Sequence, residues 1–259
     1  MTSPSDVLIE QHDSVVRVTF NRPDRLNALT SDMLTRSAEA VEKCGDDPGT
    51  RLIVLTGSGR AFSSGADLAD GDRRNDRPSA RIDAANRLIR ALRAVPRPVL
   101  AAVNGPAAGV GCSLALAADV AIAQESAYFL LAFANVGLMP DGGATALLPA
   151  AVGRARALSM AMLPERVPAR AAVEWGLIAQ AVPDGEFATE SERLISRLAH
   201  GPTKAYAQTK RAINATALPQ LEQALALERE GQCALFGTAD HAAGVAAFEA
   251  KRMPEFLGE

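Results

Sequence analysis

Apolar positions in this chain recur with two periods, and the places where one gives way to the other mark out its elements. Val7 to Glu10 and Val15 to Phe20 are aliphatic, β-branched runs on either side of a polar turn, which predicts a hairpin. Thr30-Ser31-Asp32 supplies capping groups ahead of a helix that runs to about Lys43, with Gly45 and Pro48 closing it. Arg51 to Thr56 and Pro96 to Val103 carry the apolar runs LIVL and VLAAV, suited to buried strands, and a helix over 81–94 lies between them. Residues 69–80 are polar and charged with almost nothing to bury, so they predict a mobile surface loop or an irregular helix start. After a glycine-rich turn at 104–113, LALAAD at 114–119 continues a helix into the strand DVAIA. Strand, helix, strand, helix at this spacing predicts an α/β architecture with right-handed crossovers.

From residue 142 the pattern is helical: GGATALLPAAVG, ARALSMAML, Pro168 to Trp175, then amphipathic segments at 184–199, 202–213, 219–236 and 238–250. The expected division is an α/β core over 1–200 and a helical region over 201–259, whose alanine-rich faces pack on the core or on another subunit.

Composition narrows the classes. A chain of 259 residues, 48% hydrophobic, can bury a substantial core. With 27 Lys and Arg against 30 Asp and Glu, the net charge of −3 supplies no basic field for nucleic acid or an anionic membrane. Cys44, Cys112 and Cys233 are odd in number and widely spaced, which argues against a disulfide framework or a zinc site and for reduced thiols in a cytoplasm. The start, MTSPSDVLIEQHD, lacks the basic flank of a signal peptide, and the most apolar later run is interrupted by Asp119, so no membrane span is expected. His12, His200 and His241 lie in polar or terminal settings and read as solvated surface groups.

Two stretches of small residues carry the candidate chemistry. SSGADL at 63–68 and NGPAAGVGCS at 104–113 each follow a strand-like run and would let backbone N–H groups approach a ligand. In the second, Leu114 stands where a dinucleotide fingerprint needs a small third residue, so that reading fails. A turn at a helix N-terminus can still stabilise developing negative charge, with Val110 as donor; Gly109 and Gly111 could equally serve only a tight turn. Gly65 could likewise serve a turn, and Asp67 could cap a helix. MPDGG at 139–143 then offers one carboxylate, Asp141, in apolar company.

NRPDRLNAL at 21–29, AFSSGADL at 61–68, AAVNGPAAGVGCSLALAADVAIA at 101–123, GLMPDGGATALLPAAVG at 137–153, RARAL at 154–158, AVEWGLI at 172–178 and AAFEAKRMPEF at 246–256 together resemble the crotonase, or enoyl-CoA hydratase/isomerase, family. The resemblance implies a spiral of ββα units with a helical C-terminal trimerisation region. It also implies an acyl-CoA thioester whose carbonyl oxygen sits between the N–H groups of Ala66 and Val110, beside Gly109. Backbone around Arg25, Leu26 and Ser64 would hold the CoA moiety, and Phe248 and Lys251 of a neighbouring subunit would meet its adenine and phosphates. Arg25 and Lys251 could otherwise be plain surface charges. The implied assembly is a homotrimer or a dimer of trimers. No metal or redox cofactor is expected, since CoA arrives with the substrate.

Departures from the family pattern bear on the reaction. Where hydratases of the family carry two glutamates, this chain has Ser113 and Phe133, which cannot activate and protonate water across a double bond. Asp141 falls where several members place an acid/base carboxylate, and GLMPDGG with RARAL and EWGLI is most like the branch that isomerises ring-epoxidised phenylacetyl-CoA. One carboxylate suffices to shift a double bond, so isomerisation is the expected reaction. Hydration and noncatalytic acyl-CoA binding are the alternatives. The branch that uses this aspartate as a nucleophile in 4-chlorobenzoyl-CoA dehalogenation leans on a histidine and a tryptophan that this chain lacks at the matching places. Asp141 could also be an N-cap for the next helix. A cap would lower its pKa, whereas a base near Phe133, Leu138 and Met139 would have a raised one.

Overall fold

The computed structural model describes residues 5–68 and 78–259. Strands β1 (Val7–His12) and β2 (Val15–Phe20) form the predicted hairpin, and β2 pairs in parallel with β3 (Leu52–Gly57). β4 (Val99–Val103), β6 (Val120–Gln124) and β9 (Gln180–Val182) extend this sheet in parallel, in the order β1-β2-β3-β4-β6-β9. The unbroken apolar runs are explained by burial of both sheet faces. Ile53 and Leu55 join a large core with Met33 and Val41 of α1 (Ser31–Asp46) and Leu88 of α2 (Pro78–Ala94), whereas Leu52 and Val54 pack with Phe187 and Ile195 of α6 (Phe187–Ala199).

A second sheet, absent from the sequence reading, joins β5 (Ala107–Ala108), β7 (Tyr128–Leu130) and β8 (Val167–Pro168). Single parallel bridges, Ser63 to Ala107 and Leu29 to Ala66, tie the SSGADL stretch and the NRPDRLNAL stretch to its edge. The chain therefore advances by strand, short strand, helix: β4, β5 and α3 (Val110–Ala117) make one such turn. This is the expected spiral of ββα units.

The helices follow the sequence pattern closely. Thr30 Oγ1 accepts from the Met33 N–H as the expected N-cap of α1, which continues to Asp46. α2 begins at Pro78, so 78–80 are its first turn and the rest of the predicted 69–80 loop lies outside the described residues. α4 (Ala144–Met162) is two helices meeting at non-helical Gly153. α5 (Ala169–Glu174), α7 (Thr203–Ala217), α8 (Leu221–Leu235) and α9 (Ala239–Glu249) complete the chain. α8 packs on α2 and α4, and α9 packs on a 3-10 turn at Ala132–Val136. No described helix is long and apolar enough to cross a membrane.

His241 corrects one expectation. Its ring Nδ1 lies 2.8 Å from Val136 O and its ring packs edge-on against Phe236, so it ties α9 to that turn rather than standing in solvent.

Candidate active site

The second sheet brings the two small-residue stretches into contact. Ser63 Oγ donates to Asn27 O and accepts from the Gly65 N–H, while Ala108 N donates to Ser63 O at 2.8 Å and Gly109 N to Leu130 O at 2.9 Å. Gly65 has φ +95°, and a Cβ there would lie 2.9 Å from Ala108 O and 3.4 Å from Gly109 Cα. Gly109, at φ +52°, caps α3 without a side-chain partner. Only glycine allows both the positive φ and this approach of backbone to backbone. Among the described residues, neither the Ala66 N–H nor the Val110 N–H has a hydrogen-bond partner. Such unpaired donors, one of them at the start of α3, attract an oxygen that gains negative charge.

Asp141 stands beside this pair of turns. Its carbonyl oxygen accepts from Ser113 Oγ at 2.7 Å, and a Cβ on Gly142 would lie 3.0 Å from Ser113 Cβ and 3.3 Å from Val110 Cγ2. Its residue surface is only partly covered, but carboxylate Oδ1 is sealed from solvent and has no hydrogen-bond partner among the described residues. Oδ2 accepts from Gln232 Nε2 at 2.9 Å. Burial pushes the carboxyl up to about 7, helped by the charge of Glu228, while the Gln232 hydrogen bond and the charge of Arg81 pull it down.

The N-cap reading of Asp141 is thereby overturned. Gly143 occupies the cap of α4 without a side-chain cap of its own, and the carboxylate that serves these N–H groups is Glu228 of α8. Glu228 accepts from Gly143 N at 2.7 Å, Thr145 N at 2.8 Å and Thr145 Oγ1 at 2.6 Å. Burial nevertheless raises its pKa. With Glu228 serving the helix end, the Asp141 side chain is left off that duty.

Asp67 accepts from Arg22 at 2.8 Å in an ion pair, and the chain just beyond it, where it could cap a helix, lies outside the described residues. Arg25, Leu26 and Ser64 do come together: the Ser64 N–H donates to Leu26 O at 2.9 Å and Ser64 Oγ to Arg25 O at 3.3 Å, with Leu26 at φ +50°. Phe133 is buried, its ring tip 3.9 Å from where a Gly109 Cβ would lie. Ser113 is buried under the turn, where it fixes the Asp141 backbone. Cys112 is no nucleophile, since burial pushes its thiol up to about 12. Phe248 and Lys251 lie apart from these turns along the chain, at the exposed end of α9 and just beyond it. Among the described residues, no three His, Cys, Asp or Glu side chains gather as metal ligands.

Asn27, Gln232 and Glu228 were missed in the sequence. Asn27 is fully buried; its amide donates to Ser58 O and Ala61 O and its oxygen accepts from the Arg22 N–H, bracing the SSGADL loop. Nothing local in RLNAL marks this Asn as buried, because its partners Ser58 and Ala61 lie more than thirty residues away.

The fold and this site define the crotonase class of acyl-CoA enzyme. The family model described as enoyl-CoA hydratase/isomerase matches residues 10–259, and the chain belongs to that family. It is 40% identical over 258 residues to the 1,2-epoxyphenylacetyl-CoA isomerase of Escherichia coli (98% of each chain) and 33% identical over 254 residues to the 2,3-dehydroadipyl-CoA hydratase of the same organism (98% of this chain, 99% of the other). Its structure superposes with a TM-score of 0.92 on an enoyl-CoA hydratase from Mycobacterium avium subsp. paratuberculosis, at 47% identity and covering 98% of this chain and 99% of that one.

Proposed function

We propose that the protein is an enoyl-CoA isomerase that shifts a double bond with Asp141 as its single acid/base. The thioester oxygen of the substrate lies between the N–H groups of Ala66 and Val110. Asp141 takes a proton from Cα, the C–H electron pair passes into the enolate held by those donors, and the same carboxyl returns the proton farther along the chain. Arg25, Leu26 and Ser64 hold the CoA moiety, with Phe248 and Lys251 contributed by a second copy in a trimer or a pair of trimers. CoA enters as part of the substrate, and the reaction calls on no further cofactor.

The observation that carries this reading is Asp141 itself: a carboxylate relieved of capping by Glu228, with one sealed oxygen that has no partner among the described residues and a pKa pushed up to about 7. A base is most effective near the operating pH. Water addition has less support, because Ser113 is committed to the Asp141 backbone and Phe133 carries no proton. The similarity to named hydratases keeps hydration as the reading to be tested against.

The test is proton NMR in deuterated water with a 3-enoyl-CoA and a trans-2-enoyl-CoA offered separately. Migration of the double bond is expected, reduced roughly 10²- to 10⁴-fold in Asp141→Asn. Hydration without migration would replace isomerisation as the function, and an unchanged Asp141→Asn enzyme would remove Asp141 from the chemistry. Binding with neither reaction nor exchange at Cα would mark a noncatalytic relative.

A further inference from the structure

The proton-carrying oxygen of Asp141 is singled out by its neighbours. Glu228 and Gln232 are four residues apart on α8 and so share one helix face. That face grips the Asp141–Gly143 segment twice: Glu228 Oε2 takes the Gly143 N–H at 2.7 Å, and Gln232 Nε2 reaches Asp141 Oδ2 at 2.9 Å. Gln232 is 1% exposed, and among the described residues neither its Oε1 nor Asp141 Oδ1 has a partner. A buried amide oxygen left unpaired is costly, and a fold that keeps one has reason to hold the amide in that orientation.

We propose that Gln232 is the positioning residue of the Asp141 acid/base: its Nε2–H occupies Oδ2, which leaves Oδ1 as the oxygen that takes and returns the proton. The inference rests on the isomerase reading above. An amide N–H bonds well to a carboxylate oxygen or to the carbonyl oxygen of the protonated acid, and far more weakly to the acid's hydroxyl oxygen. The proton lifted from the substrate carbon therefore forms its bond at Oδ1, and the Oδ1–H bond is the one that breaks when it is returned. Gln232 keeps the same hydrogen bond in both states, so the carboxyl does not turn between the two transfers. Among the described residues, the charged groups acting on Asp141 besides this contact are Glu228 of α8 and Arg81 of α2.

The test follows the Asp141 ¹³Cγ resonance, assigned by its loss in Asp141→Asn, through a pH titration of wild type, Gln232→Met and Gln232→Glu. Migration of trans-3-hexenoyl-CoA is measured over the same range. Methionine keeps the shape without the donor, and glutamate keeps the shape while adding a second carboxyl. Both variants are expected to move the Asp141 midpoint to higher pH. In Gln232→Met, kcat should fall about tenfold to a hundredfold at pH 6, with KM little changed and the gap narrowing toward pH 9. A midpoint unmoved in both variants overturns the proposal, including the case of a rate loss uniform across pH, which would mean support of the fold only. If Asp141→Asn migrates the double bond at the wild-type rate, the isomerase reading falls by itself, and the titrations still report whether Gln232 governs the carboxyl.

Discussion

At the scale of the residue, the proposed role of Asp141 sets stability against activity. Its folded pKa of about 7 lies above the ordinary aspartate value of 3.8, so the folded state binds more protons than the unfolded state between these limits. Stability contributed by the protonated acid is fully present at the acid end and is lost as pH rises toward 7. Asp141→Asn, which cannot ionise, should be more stable than wild type by roughly 4 kcal/mol at pH 8, with the difference nearly gone by pH 4. Urea unfolding at the two pH values reads this directly; a gain that does not depend on pH would contradict the burial of the charge. Catalysis has the opposite sign, because only the ionised base accepts a proton, and kcat should fall about tenfold per unit as pH drops below 7. Gly65 gives a second residue-scale prediction. Gly65→Ala meets both a positive φ and Ala108 O, so it should cost about 1 to 3 kcal/mol and widen the gap between the two turns. Thermal melting and isomerase assay check it together, and an alanine enzyme with wild-type kcat would show that the spacing of these turns does not matter.

At the scale of the element, α8 acts as a clamp. Glu228 accepts three hydrogen bonds at the start of α4, 83 to 85 residues away in sequence, and does the work that Ser, Thr or Asp usually does locally. Glu228→Ala leaves the Gly143 and Thr145 N–H groups and the Thr145 hydroxyl unpaired, which should destabilise the protein by about 2 kcal/mol or more. The milder Glu228→Gln removes the charge that helps raise Asp141, so the acid limb of the rate profile should move to lower pH; a limb that stays put would mean burial alone sets it. The same clamp explains what could be read from the sequence. Helices with a clear 3.6 period, such as α6 to α8, and strands with long apolar runs, such as β3 and β4, declare themselves locally. β5, β7 and β8 are two or three residues long and exist only through pairing with distant partners, so their composition carries no signal. The proline and two glycines around Asp141 suggested a cap, because nothing in 139–143 reveals that a glutamate from α8 takes that role. Gln232, 91 residues from Asp141, is invisible for the same reason.

At the scale of the whole molecule, the core covers both sheet faces, yet the C-terminal end leaves large apolar side chains in the open. Phe248, at the end of α9, is 63% exposed, and Met253 and Leu257, just beyond it, are 85% and 78% exposed. The tail here is held, not loose: the Leu257 and Gly258 N–H groups donate to the Asp240 carboxylate at 2.6 and 2.9 Å, and the Asp240 N–H donates to Glu259 O. An ordered apolar surface of this kind suits burial against another copy, and it includes Phe248, proposed above to meet a neighbour's CoA. Light scattering should therefore give the mass of three or six chains. Phe248→Glu together with Met253→Glu should lower that mass and raise KM for the acyl-CoA, while Asp141 keeps its titration, because its contacts to Gln232, Glu228 and Ser113 all lie within one chain. A single chain that turned over substrate with unchanged KM would show that the CoA site is complete in one subunit, and would leave the exposed C-terminal surface without a part in catalysis.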